Sequence, residues 1–290
     1  MQQAHKRTAN ELLGYPADAR LLILNADDFG MCHATNVAII RALSEGVVSS
    51  TTLMVPCPWA PEAMQWLAEN PAVPFGVHLT AIGDSAKYRW RPLTCREKVP
   101  TLIDETGHFY NFDRMDEFFA QVRLDELATE FRAQIGAVLA AGLRPTHLDW
   151  HSLRIARKPE VFDVIFELAR EYGLALRASQ PLLLERTQRQ DLPVNDGDFL
   201  DSYALGSAGK LDLYSRLLHE LPAGLSEWAV HPGVADAELR AIDFQGAPIH
   251  QADLDCMISA AIREVIEQEG IILLSYKPLQ EIWRARANLI

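Results

Sequence analysis

Two adjacent carboxylates, Asp27 and Asp28, close the apolar run Leu21-Leu22-Ile23-Leu24, and Gly30 just after them marks a sharp exit. Side chains able to hold a metal or move a proton recur where other apolar runs end. They are His78 in GVHLT, His147, Asp149 and His151 in THLDWH, Arg177 in LRAS and His231 in VHPG. A single histidine in such a place is usually a hydrogen-bonded or exposed one, but four separate run ends each contributing a competent group are hard to read as core packing. One carboxylate with two imidazoles, leaving positions open, is a common way to hold a catalytic divalent metal. Neighbours on a strand face opposite sides, so Asp27 and Asp28 are expected to point apart and to take different roles. His147, Asp149 and His151 share parity and face one side, so at least His151 should reach the strand's exit.

Strands alternating with helices must position these groups. HATNVAIIRALSEG carries Val37, Ile40 and Leu43 at helical spacing, and VVSSTTLMV is rich in β-branched residues. PEAMQWLAEN, LDELATEFRAQIGAVLAAGL, PEVFDVIFELAREYG, GKLDLYSRLLHELP and DLDCMISAAIREVIEQEG read as further helices. FGVHLT, RPTHLDWH, LALRA, SEWAVHPG and IILLSY read as the strands between and after them. About seven strands in this alternation predict an α/β fold, a (β/α) barrel that is distorted or seven-stranded, with its site at the C-terminal strand ends. Residues 1–18 read as an N-terminal arm and 19–290 as one catalytic domain. Residues of about 81–123 lack a clear period and read as an irregular excursion over the barrel mouth.

Composition narrows the partners. A net charge of −12 and the lack of a long Lys/Arg run argue against nucleic acid. No N-terminal apolar core and no stretch near the roughly 20 apolar residues of a membrane span are present, which predicts a cytoplasmic protein. Cys32, Cys57, Cys95 and Cys256 form no CxxC pair and read as reduced thiols. No stretch declares itself as a subunit interface, so a homo-oligomer stays open.

Five collinear motifs, NADDFG, GVHLT, PTHLDWH, LRA and VHPG, resemble the YdjC family of ChbG-like carbohydrate deacetylases from about Leu21 to Ser275. The resemblance implies a deacetylase-type (β/α) barrel and metal-dependent removal of acetyl groups from N-acetylated sugars, chitooligosaccharide-like or a glycolipid headgroup. It implies Asp28, His78 and His151 as ligands of one divalent ion, magnesium or zinc, with Asp27 as general base. His231 would be the general acid or would orient it. Arg177 would hold base or substrate, and Asp149 joins the substrate-binding set. The chain departs from the family where members follow the aspartate with a stretch like SHHHVH. Here Trp150-His151-Ser152-Leu153-Arg154-Ile155 keeps only the first histidine, which puts the sugar specificity in question.

Sugar faces stack on aromatic rings, and Tyr88 and Trp90 in KYRWRPLT are candidates for a substrate wall, whereas Trp66 and Trp228 read as core. Arg89 and Arg91 beside them could meet an anion or only solvate the loop. NDGDFLD lacks the spacing of a calcium loop and reads as a turn, and GSAGK is too short for a phosphate-binding loop. Two other readings share the residues: a non-catalytic sugar-binding or regulatory protein on the same fold, and a metal-dependent sugar isomerase or phosphoesterase. The intact set of acids and histidines speaks against the first, and a single ion would separate a deacetylase from a two-metal phosphoesterase.

Overall fold

The computed structural model describes residues 7–178, 181–188, 190–196 and 199–287. Along the chain run α1 (Ala9–Leu13), β1 (Arg20–Phe29), α2 (His33–Ser44), β2 (Ser50–Leu53), α3 (Ala60–Glu69), β3 (Phe75–Leu79), β4 (Ile82–Gly83) and β5 (Tyr110–Asn111). There follow α4 (Met115–Gln121), α5 (Leu124–Ala140), β6 (His147–Trp150), α6 (Glu160–Tyr172), β7 (Ala175–Leu176), α7 (Pro181–Gln188) and β8 (Phe199–Asp201). The last elements are α8 (Lys210–His219), β9 (Gly224–Val230), α9 (Ala237–Ile242), α10 (Ala247–Met257), α11 (Ala260–Gln268), β10 (Ile272–Leu273) and α12 (Lys277–Ala287).

Seven strands form one parallel sheet in the order β7-β6-β3-β2-β1-β9-β8, and β10 adds two pairs to the start of β1. The predicted barrel is therefore seven-stranded and incomplete: the sheet curls, and among the described residues no pairing joins β7 to β8. β1 lies at the centre, its first half between β9 and β10 and its second half between β9 and β2. That explains its unbroken apolar run, since a strand covered on both faces has no solvent side on which to alternate. Helices such as α6 bury one face, with Val161, Phe162, Ile165, Phe166, Leu168 and Ala169 at the i, i+3, i+4 spacing that a core-facing stripe requires.

One segment read as a turn joins the sheet, and one expected strand falls outside its main order. NDGDFLD is not merely a turn, because Phe199–Asp201 pairs with β9 as the sheet's edge strand. IILLSY contributes only the two-residue β10, outside the main order. The first run is short and carries acids at both ends, so its apolar content falls below what a pattern detects, whereas the second is apolar because it packs. DLDCMISAAIREVIEQEG is likewise two helices, since Ser259 caps α11 by accepting from the Ala261 amide and resets the chain.

The excursion is a packed cap with a small core of its own. Parallel β4 and β5 pair, and Trp90, Val99, Leu102, Phe109 and Phe118 are buried beneath. Asp104 fastens it, receiving Arg89, Arg114, the Thr106 hydroxyl and the Thr106 amide. Among the described residues, the N-terminal arm forms α1. α1 begins with a reciprocal capping box between Thr8 and Glu11, and the buried Asn10 amide donates to the carbonyls of Pro16 and Ala19. No described helix is long and apolar enough to cross a membrane.

Candidate metal and active site

β1 ends in an irregularity that decides how its acids point. Its register against β2 shifts between Ala26 and Phe29, and Asp28 takes φ +70°, a left-handed conformation costly for a residue with a side chain. The expectation that Asp27 and Asp28 face apart therefore fails. The bulge cancels the strand's two-residue alternation, and both carboxylates line one cavity. Gly30 completes the exit at φ +93°, where an added Cβ would stand 3.0 Å from the Ala60 Cα.

β3 and β6 bring the histidines. Their register sets His78 opposite Asp149, whose Oδ1 accepts from His78 Nδ1 at 2.7 Å, leaving Nε2 turned toward Asp28 Oδ1 at 3.4 Å. His151, just past the end of β6, has Nδ1 at 3.1 Å from that same Asp28 oxygen and Nε2 at 2.7 Å from Asp84 Oδ1. Coordinating atoms of Asp28, His78 and His151 lie within 4.8 Å of one another, and all three residues are buried. A four-coordinate ion with ~2.1 Å bonds sets its donors roughly 3.4 Å apart, so this spacing fits one. The charge fits as well. Asp27, Asp28 and Asp149 all lie within 4.0 Å of the His78 ring, a buried excess of negative charge that a divalent cation would offset. Burial alone would lower His78, yet Asp149, Asp28 and Asp27 outweigh it and push the imidazole up to about 9.

Arg177, after β7, ties the carboxylates together. Its Nη1 and Nη2 grip both oxygens of Asp27 at 2.7 and 2.8 Å, Nη1 also lies 2.8 Å from Asp149 Oδ2, and Nε donates to Glu227 Oε1 at 2.7 Å. Tyr276 donates to the other Glu227 oxygen at 2.6 Å. Burial pushes Asp27 up, but the guanidinium outweighs it and holds the carboxyl well below the usual carboxylate range. On the neighbouring strand, just after β9, His231 turns Nε2 toward Asp27 Oδ2 at 4.0 Å.

The cavity measures ≈ 930 Å³ and is lined by Asp27, Asp28, His78, His151, Arg177 and His231 together with Phe112, Trp150, Phe199 and Tyr203. Tyr88 and Trp90 do not reach it. The Phe109 amide donates to the Trp90 carbonyl and draws that segment under the cap, so Trp90 is buried edge-on to His151 with centroids 5.4 Å apart. Tyr88 packs on Trp90 and donates to the Met31 carbonyl at 2.9 Å. Asp149 also lies behind the cavity, so it holds His78 and Arg177 where substrate contact had been expected. His147 stays in the floor, stacked on Tyr276 at 3.7 Å; its ring lies 2.6 Å from where a Cβ on Gly76 would stand, so glycine there makes room for it. Arg89 is engaged with Asp104 and the Phe109 carbonyl.

Sequence reasoning missed Asp84, which follows β4 and meets His151. The acid in AIGDS ends a short apolar pair, a signal too slight to stand out beside ADDFG. It missed Glu227 too, because an acid inside the buried strand SEWAV marks a network only once Arg177 is known to face it.

A family model described as YdjC-like protein matches residues 21–268. A carbohydrate deacetylase of Enterococcus faecalis is 32% identical over 89% of this chain and 97% of its own length. A chitooligosaccharide deacetylase of Yersinia enterocolitica is 30% identical, over 89% of this chain and 98% of its own. Among solved structures, an Enterococcus faecalis V583 protein provisionally assigned to cellobiose-phosphate cleavage superposes with a TM-score of 0.76 at 30% identity, covering 90% of this chain and 99% of that one.

Proposed function

The chain belongs to the YdjC-like family and is a carbohydrate deacetylase, and we propose that it removes an acetyl group from an N-acetylated sugar with one divalent ion held by Asp28, His78 and His151. The observation that carries this reading is the convergence of those three side chains on one point beside a guanidinium-held carboxylate. The chitooligosaccharide deacetylase among the relatives and the aromatic lining of the cavity favour a chitooligosaccharide-like saccharide or a glycolipid headgroup as substrate.

When bound, such an ion lowers the pKa of a water molecule and polarises the acetamide carbonyl. The remaining work falls to the chain. Asp27, kept charged by Arg177, accepts the proton of the attacking water, and the two guanidinium contacts fix the direction in which its oxygens point. His231 lines the same cavity beside Asp27 and protonates the departing nitrogen, without which an amine is a poor leaving group. Asp149 fixes the ring of His78, so that Nε2 is the nitrogen offered to the ion. Asp84 restrains His151 in the same way.

Acetate release from a panel of N-acetylated mono- and disaccharides, before and after chelation and after adding back magnesium or zinc, tests the reading. Turnover lost on chelation and restored by one of the ions is expected. Acetate release that persists at full rate after chelation would overturn metal dependence.

A further inference from the structure

GSAGK supplies no phosphate loop, yet its lysine is fully buried and holds one end of a chain of polar groups that reaches the site. Lys210, at the first position of α8, lies with Nζ 2.6 Å from Asp253 Oδ1 on α10, and Tyr214 donates to the same oxygen at 2.7 Å. The other oxygen, Asp253 Oδ2, accepts from the Ser202 hydroxyl at 2.6 Å and from the His231 backbone amide at 2.9 Å. Ser202 Oγ lies 3.1 Å from His231 Nδ1. Ser202 and Asp253 have no solvent exposure, so no water competes for these bonds.

The serine has one proton, and the carboxylate, which can only accept, takes it. Its oxygen is left with lone pairs facing His231 Nδ1, so that nitrogen must be the donor. We propose that Ser202 and Asp253, with Lys210 balancing the charge, are positioning residues for His231: they keep Nδ1 protonated and make Nε2, which faces Asp27 and the cavity, the nitrogen that carries the transferable proton. This rests on the reading of His231 as general acid. The titratable groups around the ring are Asp27, Asp201 with Oδ1 3.8 Å from Nδ1, and His250, which donates to the His231 carbonyl. None of them duplicates the 3.1 Å contact of the serine.

The buried pair also explains why a serine stands between acid and histidine. Lys210 neutralises Asp253, and the hydroxyl separates the carboxylate from the ring. The ring is thus oriented through Nδ1 by a hydroxyl, with the Asp253 carboxylate one group removed from it.

The test uses leaving groups. Amide cleavage needs a proton on nitrogen, whereas 4-nitrophenoxide leaves 4-nitrophenyl acetate unaided. Ser202→Ala, with Ser202→Cys as a second variant of nearly native volume, is compared with His231→Ala, using the N-acetylated saccharide that the parent hydrolyses fastest and the aryl ester. A fall of about tenfold or more in the ratio of amide to ester kcat in both serine variants and in His231→Ala, with little change in KM, is expected. If His231→Ala collapses the ratio but the serine variants keep it, the positioning role is overturned and the acid assignment survives. If His231→Ala also keeps the ratio, the acid assignment falls and the positioning role with it.

Discussion

The two walls of the cavity solve one problem in two ways. On one wall, a buried cation, Arg177, neutralises Asp149, which bonds directly to His78. On the other, a buried cation, Lys210, neutralises Asp253, which reaches His231 only through Ser202. A direct carboxylate raises the basicity of the imidazole, as would suit a nitrogen holding the proposed ion. A hydroxyl bridge orients the ring through Nδ1 and leaves Nε2 facing the cavity. What each histidine is asked to do is legible in the group behind it.

Breaking the cation on each wall has the largest expected effect. Arg177→Met leaves Asp27, Asp149 and Glu227 buried around an uncharged side chain, a loss of roughly 3–5 kcal/mol, measurable as the urea midpoint. Lys210→Met strands a single carboxylate and is expected to cost less. Equal losses would mean that the guanidinium network has no special weight.

Asp149→Asn against Asp253→Asn sharpens the contrast further. The first is expected to weaken metal binding by about 10–100-fold, because it removes the partner that presents His78 Nε2. The second should leave metal affinity unchanged and lower kcat, so titration calorimetry beside kinetics separates the walls. A fall in metal affinity in Asp253→Asn would show that they are not independent.

Gly76→Ala probes the floor between the walls. A Cβ there would stand 2.6 Å from the His147 ring, so a loss of about 1–3 kcal/mol is expected in thermal unfolding, with the preference for metal unaltered.

The smallest effect belongs to the cap. Burial pushes Asp104 up, but Arg89 and Thr106 outweigh it and hold its carboxyl below the usual range. A carboxylate lowered in the folded state contributes stability above its unfolded value, near 4, and that contribution is lost as pH falls from there toward the folded value. Acid should therefore loosen the cap, and Asp104→Asn should remove that dependence, with a shift of roughly 2–4 °C in the melting temperature at neutral pH. Limited proteolysis by an acid protease between about pH 2 and 5 would report it.

The first wall was far more legible in the sequence than the second. Asp27, Asp28, His78, His151 and Arg177 all close apolar runs, so a barrel with its site at the strand ends brings them together. Asp84, Ser202, Lys210 and Asp253 sit on a cap, a turn and two helices, where nothing in the local pattern marks an inward-facing polar group. The strand β8 that leads into Ser202 is hidden for the same reason: Phe199-Leu200-Asp201 carries too little apolar signal. Trp90 failed in the opposite sense. It stands in irregular sequence yet lies buried under the cap, because long-range pairing of β4 with β5, which no short window contains, pulled it under. The bulge that turns Asp27 and Asp28 to one side was also hidden, since alternation is the default that any strand pattern assumes.

The central claim is that Asp28 makes the buried cluster a metal centre. The direct measurement is the divalent metal content of the purified parent and of Asp28→Ala, with acetate release on the same samples. One ion per chain in the parent, lost in the variant together with turnover, is the predicted result. Full acetate release from an Asp28→Ala protein that holds no metal would contradict the account.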